Sequence, residues 1–494
     1  MEESLDPKDW NEMRRLGHRM VDDVMEYLER VRERPVWQPV PDETKAALRA
    51  PLPMEPQGPA ATYEDFRRDV FPNGMGNIHP RFWGWVIGTG TPFGALADLL
   101  ASTMNPNIGG GDQGPNYVEL QTLSWLKEML GYPSDSSGLL VTGGSMANFV
   151  GLAVARNAKA EIDVAQEGVA AAPRRMTLYA STETHNSVRK AVSLLGLGRS
   201  ALREIPVDDA FRIDVKALRR FIAEDRKAGF HPFCVVGNAG TVNTAAFDAL
   251  PVLADLCEAE NLWFHVDGAF GALAALSPRL RGLVRAMDRA DSLAFDLHKW
   301  MYMPYDVGCA LVRWPDQHRA TFVSPADYLA HLTRGLPAGP IWFSEYGVQL
   351  SRGFRALKVW MSIKEHGVSK YARLVEQNCE QAAYLKSLVE ADPELELMAP
   401  VSLNIVCFRF APRGMEPTRL DGMNEEILFA LQESGTAVPS STVLDGRFAL
   451  RVCICNHRTR RDDLELLVRE VLQRGRALAA EPAIREPDRS GGRS

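Results

Sequence analysis

The 494-residue sequence contains no uncharged apolar run that approaches the roughly eighteen residues needed to span a membrane. Its N-terminus, Met1-Glu2-Glu3-Ser4-Leu5-Asp6, is acidic, whereas a secretory signal peptide begins with positive charge followed by an apolar stretch. We therefore expect neither a membrane span nor secretion, and we expect a cytoplasmic location.

An excess of positive charge is also missing. The chain has 56 lysine and arginine residues against 63 aspartate and glutamate residues, a net charge of −7, and the two signs are interspersed. Nucleic acids and anionic lipid surfaces attract clustered basic residues, so neither a nucleic acid nor a membrane is expected as a partner.

Cysteine is scarce and odd in number, with seven residues that lie mostly inside apolar runs. This pattern favours reduced thiols in the core over a disulfide framework. Cys453 and Cys455 flank one residue and would share a strand face, but no second pair of ligands lies nearby in the sequence. Core packing is therefore favoured over a metal site, and no metal is expected.

The spacing of apolar residues indicates a helical arm followed by two α/β regions. A helix start at Asp6-Pro7-Lys8-Asp9 precedes apolar residues at helical spacing as far as Val31, and a proline-rich, extended stretch follows at 35–59. From about residue 90 to 315, short apolar strands alternate with helical stretches, which is typical of a doubly wound sheet. A long helical pattern over 355–390 leads into the second region.

With 46% hydrophobic residues, a chain of this length can form about two or three structural units. We expect an N-terminal helical dimerisation arm at 1–85, a large cofactor-binding domain at 86–355, a small C-terminal α/β domain at 356–482 and a disordered tail at 483–494. The apolar stripe of the arm has no partner nearby in the sequence, which favours packing against a second subunit.

Two short runs point to chemistry: Phe264-His265-Val266-Asp267-Gly268-Ala269 and Phe295-Asp296-Leu297-His298-Lys299-Trp300. Each ends an apolar stretch that predicts a buried parallel strand, so Asp267 and Lys299 are expected where open α/β sheets bind ligands. A lysine there can form an imine with an aldehyde cofactor, and a buried aspartate can keep the cofactor's ring nitrogen protonated. Single lysines and aspartates are usually solvated, but the flanking aromatic residues argue against that here. The runs predict a pyridoxal-phosphate site.

A glycine-rich turn, Val141-Thr142-Gly143-Gly144-Ser145-Met146-Ala147-Asn148, joins a predicted strand to a predicted helix. Its glycines let the backbone approach an anion closely, and the free N–H groups at the helix start can donate to it. The turn lacks the ending of a P-loop and the spacing of a dinucleotide site. Alone it would be an ordinary turn, but with Asp267 and Lys299 downstream it is predicted to hold the cofactor's phosphate.

Six motifs follow one another in the order seen in a known enzyme family. They are His79-Pro80-Arg81-Phe82-Trp83, Gly143-Gly144-Ser145, Ser181-Thr182-Glu183-Thr184-His185-Asn186-Ser187, Gly240-Thr241, His265-Val266-Asp267 and His298-Lys299-Trp300. With them the chain resembles, over roughly residues 10 to 470, the group II pyridoxal-phosphate-dependent amino-acid decarboxylases, which act on aromatic amino acids, histidine, glutamate or cysteine sulfinate. The resemblance implies a homodimeric fold-type I enzyme with a doubly wound, mainly parallel sheet and a small-molecule amino-acid substrate.

The resemblance also implies roles for individual residues. Lys299 would be the imine lysine, Asp267 the partner of the ring nitrogen, and His185 the ring stacked on the cofactor's face. The phosphate would lie among Gly144, Ser145, Met146, Ala147 and His298, with Asp296 nearby, and Thr241 and Ala269 would line the cofactor. Without the family position, a structural role for His185 would be favoured.

Tyr328, 29 positions after Lys299, matches the tyrosine of the family's mobile loop. Relatives with phenylalanine there resemble aldehyde synthases, which divert the reaction into oxidative deamination, whereas the tyrosine hydroxyl can help protonate the reacting carbon. The nearby segment 335–340 resembles a lid that moves and excludes water. Tyr328 therefore favours a decarboxylase.

The substrate pocket is where the sequence departs from its relatives. Trp85 and Val86 offer an aromatic and apolar wall, but the loop expected from the partner subunit, 107–111, is small and open. Ser351 lies where aromatic decarboxylases often have glycine or serine, and Gly353 replaces an arginine that is common in them. Trp85 slightly favours an aromatic substrate.

Several alternatives stay open at this point. They are a decarboxylase of glutamate, aspartate or cysteine sulfinate, an aldehyde synthase, and an aminotransferase. A cofactor-binding scaffold without activity is disfavoured, because Lys299, Asp267, His185 and Tyr328 are all present.

Overall fold

Two β-sheets form the framework of the protein, whose computed structural model describes residues 2–324 and 332–480. The strands are β1 (Phe82–Trp83), β2 (Ser137–Val141), β3 (Met176–Ser181), β4 (Leu202–Ile205), β5 (His231–Asn238), β6 (Trp263–Asp267), β7 (Ser292–Asp296), β8 (Gly308–Val312), β9 (Leu395–Leu397), β10 (Ile405–Phe410), β11 (Val438–Leu444) and β12 (Arg447–Cys453). The predicted tail at 483–494 lies outside the described residues.

The α-helices precede, connect and flank these strands. They are α1 (Trp10–Glu29), α2 (Asp42–Ala47), α3 (Pro59–Asp65), α4 (Pro92–Met104), α5 (Gly114–Leu130), α6 (Gly144–Lys159), α7 (Val164–Glu167), α8 (Asn186–Leu194), α9 (Val215–Lys227), α10 (Leu250–Ala259), α11 (Leu297–Trp300), α12 (Pro315–Phe322), α13 (Ala356–His366), α14 (Val368–Ala391), α15 (Pro417–Glu433) and α16 (Arg461–Ala480).

The larger sheet has seven strands in the order β2-β8-β7-β6-β5-β3-β4. The five strands from β7 to β4 are parallel, and β8 is antiparallel to both of its neighbours. Adjacent residues of β5, Cys234 and Val235, pack into two different apolar clusters, as side chains on opposite faces of a covered sheet do. The predicted doubly wound, mainly parallel sheet is confirmed.

This topology gathers several strand ends at one edge. Because β2 and β7 are each antiparallel to β8, they run in the same direction, and their carboxyl ends lie on the same side of the sheet as those of β6, β5 and β3. Helix α6 begins after β2, α8 begins after β3, and α11 follows β7 directly, while β6 itself ends at Asp267. The large sheet therefore brings the predicted site residues to one edge.

The smaller sheet has five strands in the order β1-β11-β12-β10-β9. Its strands β9 to β12 come from the C-terminal region, and α14, α15 and α16 pack against them. Strand β1, from the N-terminal part of the chain, pairs in parallel with Val438 and Pro439 of β11. The segment just before Trp85 is thus held by the small sheet.

Some element boundaries differ from the predicted ones. Helix α1 begins three residues later than predicted, at Trp10, because the Asp9 carboxylate accepts a hydrogen bond from the Asn11 N–H and caps the helix there. The long helix predicted over 355–390 is instead two helices, α13 and α14. They are separated by Gly367, whose φ of +69° lies in the left-handed region that glycine tolerates.

The N-terminal arm leaves apolar surface uncovered. Helix α1 has no buried residue, and four of its large apolar residues are exposed: Trp10, Met13, Met20 and Val21. The proline-rich stretch 35–59 is not extended throughout, because it contains α2. Over residues 2–324 and 332–480, no helix combines the length and apolar character needed to cross a bilayer.

Candidate functional site

Two adjoining cavities lie at the carboxyl edge of the large sheet. The first, of about 260 Å³, is bounded by the turn into α6 and by Asp296, His298 and Lys299. The second, of about 180 Å³, is bounded by Trp85, Val86 and Asp267. His185, Ala269 and Lys299 border both cavities. The structure therefore brings together most of the predicted site residues, although they come from five separate segments of the chain.

Lys299 lies in α11, directly after β7, and its Nζ is 2.8 Å from Asp296 Oδ2. Desolvation lowers the pKa of the Lys299 ammonium, but the charge and hydrogen bond of Asp296 more than offset it, so the net pKa is raised. In the cofactor-free protein, this lysine is consequently a charged group held in place by a carboxylate that is itself buried.

Asp296 sits in a shell of glycines. A Cβ added to Gly144 would lie 2.7 Å from Asp296 Oδ2, and one added to Gly308 would lie 2.7 Å from Asp296 Oδ1. That Oδ1 is buried and has no hydrogen-bond partner among the described residues. Close backbone approach and an unused acceptor at the floor of a cavity are features of a ligand site, because a buried polar atom left unpaired is costly.

The start of α6 can donate hydrogen bonds to an anion. The helix begins at Gly144, and its N-cap, Gly143, supplies no side-chain cap. The N–H groups of Met146 and Ala147 both donate to Gly143 O, at 2.9 Å each, whereas those of Gly144 and Ser145 have no intrahelical acceptor. Uncapped N–H groups and the positive end of the helix dipole fit the phosphate of the predicted cofactor.

His298 lines the same cavity as the start of α6. Its Nδ1 accepts a hydrogen bond from the Val307 N–H at 3.2 Å, so in the neutral ring the proton is on Nε2, which lies 3.8 Å from Asp296 Oδ1. Desolvation lowers the pKa of His298, although Asp296 opposes it. A neutral imidazole with its N–H near the cavity is a suitable donor to phosphate.

Asp267, at the end of β6, is 5% exposed and is held on both oxygens. Its Oδ2 accepts a hydrogen bond from Asn148 Nδ2 at 2.8 Å, and its Oδ1 accepts one from the Ala269 N–H at 3.1 Å. An oriented carboxylate at the cavity wall is the group needed to bind a protonated ring nitrogen. Asp267 and the α6 start therefore fit the two ends of pyridoxal phosphate.

His185 is the N-cap residue of α8, and its ring faces both cavities. Its Nδ1 lies 2.8 Å from Ser187 Oγ and accepts a hydrogen bond from the Ser187 N–H at 3.2 Å. Although the ring is accessible from the cavity, desolvation by its surroundings lowers the pKa of His185, against the opposing charge of Asp267. The desolvation therefore favours the neutral form of the imidazole.

Three predicted residues do not border either cavity, and one of them, Ala147, is fully buried inside α6. Thr241 is buried, with its hydroxyl 3.2 Å from Thr244 Oγ1 and accepting from the Ala246 N–H, while its neighbours Gly240 and Val242 line the second cavity. Ser351 is exposed outside the cavities of its own chain. The Gly240-Thr241 motif therefore contributes Gly240, and not the side chain of Thr241, to the wall of the second cavity.

The predicted lid is only partly described. Tyr328 lies outside the described residues. In the segment 335–340, Leu336 O accepts a hydrogen bond from the Asp112 N–H at 2.7 Å, so this segment packs beside the loop 107–111 of the same chain. Arg352, the residue after Ser351, contacts the same loop, because its guanidinium donates a hydrogen bond to Ile108 O at 3.0 Å.

Sequence reasoning missed two polar residues that hold the site. Asn148, one turn into α6, contacts Asp267, and its place at the end of the glycine-rich motif was the available signal. Arg451 of β12 donates to Trp85 O at 2.9 Å and to Asn243 O at 3.1 Å, which ties the small sheet to the cavity wall. No local pattern distinguishes this arginine from a surface residue.

Comparisons with known proteins agree with this geometry. Residues 41–411, more than half of the chain, match a family described as the pyridoxal-dependent decarboxylase conserved domain. The chain is 35% identical to aromatic-L-amino-acid decarboxylase of Bacillus atrophaeus over 96% of its own length and 97% of that protein. It is 28% identical to phenylacetaldehyde synthase of Petunia hybrida over 91% of each chain. The crystal structure of Oryza sativa TDC with PLP and tryptamine matches with a TM-score of 0.89 and 26% identity, over 96% of this chain and 100% of that one.

Proposed function

Because the chain belongs to the family of pyridoxal-dependent decarboxylases, we propose that it converts an aromatic L-amino acid to its amine and carbon dioxide. The enzyme class, the pyridoxal-phosphate cofactor and the decarboxylation of an amino acid follow from the family. The class of substrate side chain is our proposal. The observation that carries it is the position of Trp85 and Val86 on the wall of the cavity that contains Lys299.

The chain's own residues supply the binding and orientation that this chemistry needs. When bound, pyridoxal phosphate provides a protonated aromatic ring that takes up the electrons of the broken bond. Asp267 would accept from the ring nitrogen, His185 would cover the ring, and the N–H groups at the α6 start would donate to the phosphate. Lys299 would carry the cofactor. Tyr328 or His185 would deliver a proton to the reacting carbon.

Charge in the second cavity supports an uncharged substrate side chain. Among the described residues that border it, only Lys299 and His185 are basic, and both have proposed roles in the reaction. An acidic substrate needs a cation for its second carboxylate, because an unpaired buried charge is strongly unfavourable. Trp85 instead offers an aromatic ring, and aromatic pairs contribute about 0.5–1.5 kcal/mol beyond their buried area. Aromatic amino acids therefore fit this wall better than acidic ones.

The enzyme is further proposed to be a cytoplasmic homodimer organised as an arm at 1–85, a large domain at 86–355 and a small domain at 356–482. The exposed apolar stripe of α1 supports dimerisation, since apolar surface of this kind is stable when a second subunit covers it. All seven cysteines are free thiols, and six of them are buried, which is typical of a reducing compartment.

The test is a screen of the purified, cofactor-loaded protein against all L-amino acids, with mass-spectrometric detection of amines and parallel assays for carbon dioxide, ammonia and hydrogen peroxide. We expect amine and carbon dioxide in equal amounts, with the highest kcat/KM for an aromatic acid. Ammonia and peroxide in place of amine would indicate an aldehyde synthase. A higher kcat/KM for glutamate, aspartate or cysteine sulfinate would overturn the aromatic assignment.

A matched pair of variants tests the contribution of Trp85, on the wall of the second cavity, to substrate recognition. Trp85→Ala should lower kcat/KM for the aromatic substrate by about 10- to 150-fold, the effect of losing roughly 1.5–3 kcal/mol of side-chain burial. Trp85→Phe keeps an aromatic ring and should retain most of the activity. Equal kcat/KM in Trp85→Ala and wild type would exclude this residue from substrate recognition.

A further inference from the structure

We propose that Asn148 is a positioning residue that orients Asp267 and fixes His185 as the tautomer protonated on Nε2, through a hydrogen-bond chain that starts at Trp263. This inference rests on the proposed functions of Asp267 and His185 at the cofactor. It adds an organising group that acts through Asp267 and His185, to both of which its amide nitrogen is linked by hydrogen bonds.

The orientation of the Asn148 amide follows from its contact with Asp267. An ionised carboxylate only accepts hydrogen bonds, so the group 2.8 Å from Asp267 Oδ2 must be the amide nitrogen of Asn148. The amide oxygen then faces His265, whose Nε2 is 2.9 Å away. Since that oxygen only accepts, His265 Nε2 carries a proton and donates it.

The proton on His265 Nε2 also fixes the direction of the hydrogen bonds that lead from His265 through Ser292 to Trp263. Burial lowers the pKa of His265 to about 4, so the ring is neutral and its Nδ1 is an acceptor. Ser292 Oγ lies 2.8 Å from this Nδ1 and donates to it, and the same Oγ accepts from Trp263 Nε1 at 2.8 Å. Indole only donates, which makes Trp263 the start of the chain.

On the near side, the chain reaches His185. The second hydrogen of Asn148 Nδ2 is donated to Ser187 Oγ at 2.9 Å, and Ser187 Oγ lies 2.8 Å from His185 Nδ1. The Ser187 N–H also donates to this Nδ1, at 3.2 Å, so the nitrogen is unprotonated. The proton of neutral His185 is therefore on Nε2, which leaves an N–H donor for the cavity.

The part of this hydrogen-bond network from Trp263 to Asn148 is fully satisfied and enclosed by the protein. Asn148, Trp263, His265 and Ser292 are each at most 1% exposed. Asn148 uses its oxygen and both of its amide hydrogens, and in a site of low polarity each unmade bond would be costly. Helix α6 makes room for the ring with Gly151, where a Cβ would lie 2.7 Å from His265 Cε1.

Asn148 is thus the branch point from which Asp267 and His185 are held together. Without the Asn148 amide, the Ala269 N–H would be the one donor left to Asp267 among the described residues, and the Ser187 hydroxyl would be free to turn away from His185. A reorienting carboxylate would bind the ring nitrogen less well, and a mixture of tautomers would leave part of the His185 population without a donor toward the cavity.

The test compares Asn148→Asp with Asn157→Asp, a control at a partly exposed asparagine on the same helix. The nitrogen-15 NMR spectrum of histidine-labelled, cofactor-free protein reports the tautomer, with His185→Gln identifying the signal. Wild type and the control should show His185 protonated on Nε2 only, and Asn148→Asp should show a mixture. Pyridoxal-phosphate affinity, measured by titration of the cofactor-free protein, should fall by about 10- to 100-fold in Asn148→Asp alone.

Variants of His265 provide a second test that leaves Asn148 intact. His265→Leu removes the donor to the Asn148 oxygen and should weaken cofactor binding, whereas the amide of His265→Gln can donate from nearly the same position and should restore it. The proposal is overturned if wild-type His185 carries its proton on Nδ1, or if Asn148→Asp matches Asn157→Asp in tautomer and affinity. These readouts need no substrate, so they remain informative if the aromatic assignment fails.

Discussion

Gly308 gives a direct test of the glycine shell around Asp296. A Cβ at this position would lie 2.6 Å from Gly143 Cα and 2.7 Å from Asp296 Oδ1, whereas nonbonded carbon atoms are comfortable at about 3.5–4.0 Å. Gly308 pairs with Val141 on one side and with Asp296 on the other, so its strand cannot shift away from both. Gly308→Ala must therefore displace the α6 start or the Asp296 carboxylate.

We expect an overpacking cost of about 1–3 kcal/mol in Gly308→Ala, which corresponds to about 5- to 150-fold in pyridoxal-phosphate affinity if it appears entirely in binding. The assay is titration of cofactor-free protein with pyridoxal phosphate, followed by visible absorbance, together with a urea unfolding curve. Gly422→Ala is the control, because a Cβ there meets nothing within 4 Å in the middle of α15. Wild-type affinity and stability in Gly308→Ala would refute the close packing around Asp296.

Four further outcomes are expected. Wild type should be yellow when loaded, and Lys299→Ala should lose the visible band; a colourless wild type would contradict the assignment of the lysine. Tyr328→Phe should slow amine formation by about two to three orders of magnitude, equivalent to ~3–4 kcal/mol. It should instead consume dioxygen and release carbon dioxide, ammonia, aldehyde and hydrogen peroxide; an unchanged rate of amine formation would exclude a role of the tyrosine in protonation. Deletion of residues 1–60 should give inactive monomers or aggregates, as measured by light scattering and an activity assay. A soluble, fully active monomer would contradict the packing of the arm against a second subunit. Because the pKa of His265 falls from 6.5 to about 4 on folding, unfolded chains bind a proton that folded ones do not between these values. The free energy of unfolding of the wild type should thus drop by up to about 3 kcal/mol from pH 7 to pH 4, and that of His265→Gln should drop by less. The same drop in both proteins, measured by urea unfolding at each pH, would contradict the lowered pKa of His265.

The fold class, the family and the cofactor were predictable from the sequence, and all three are confirmed. Asp267 and Lys299 converge because β6 and β7 are adjacent and parallel, so polar residues that follow each strand meet at one edge. The apolar runs before them specify such strands, since a strand buried on both faces has no polar alternation. Local pattern was sufficient because each of these residues is positioned by its own strand.

The parts that sequence reasoning missed depend on contacts between distant segments. The hydrogen-bond chain through Asn148 joins residues of α6, α8, β6 and β7, and no spacing along the chain relates them. Thr241 belongs to a recognisable motif, yet only the backbone around it reaches the cavity. Boundaries such as the start of α1 depended on which of two aspartates capped the helix, a choice made by side-chain geometry.

The two carboxylates at the floor of the site are distinguished by their partners. Asp267 is held by two donors that do not take part in the chemistry, Asn148 and the Ala269 N–H, so its position does not depend on what Lys299 does. Asp296 has Lys299 as its charged partner, and its buried Oδ1 has no hydrogen-bond partner within the part of the chain that the structure describes. Any step that moves or neutralises the lysine therefore changes the electrostatic environment of Asp296 far more than that of Asp267. In the proposed mechanism, Asp267 would keep the cofactor ring oriented while Asp296 responds to the charge of Lys299.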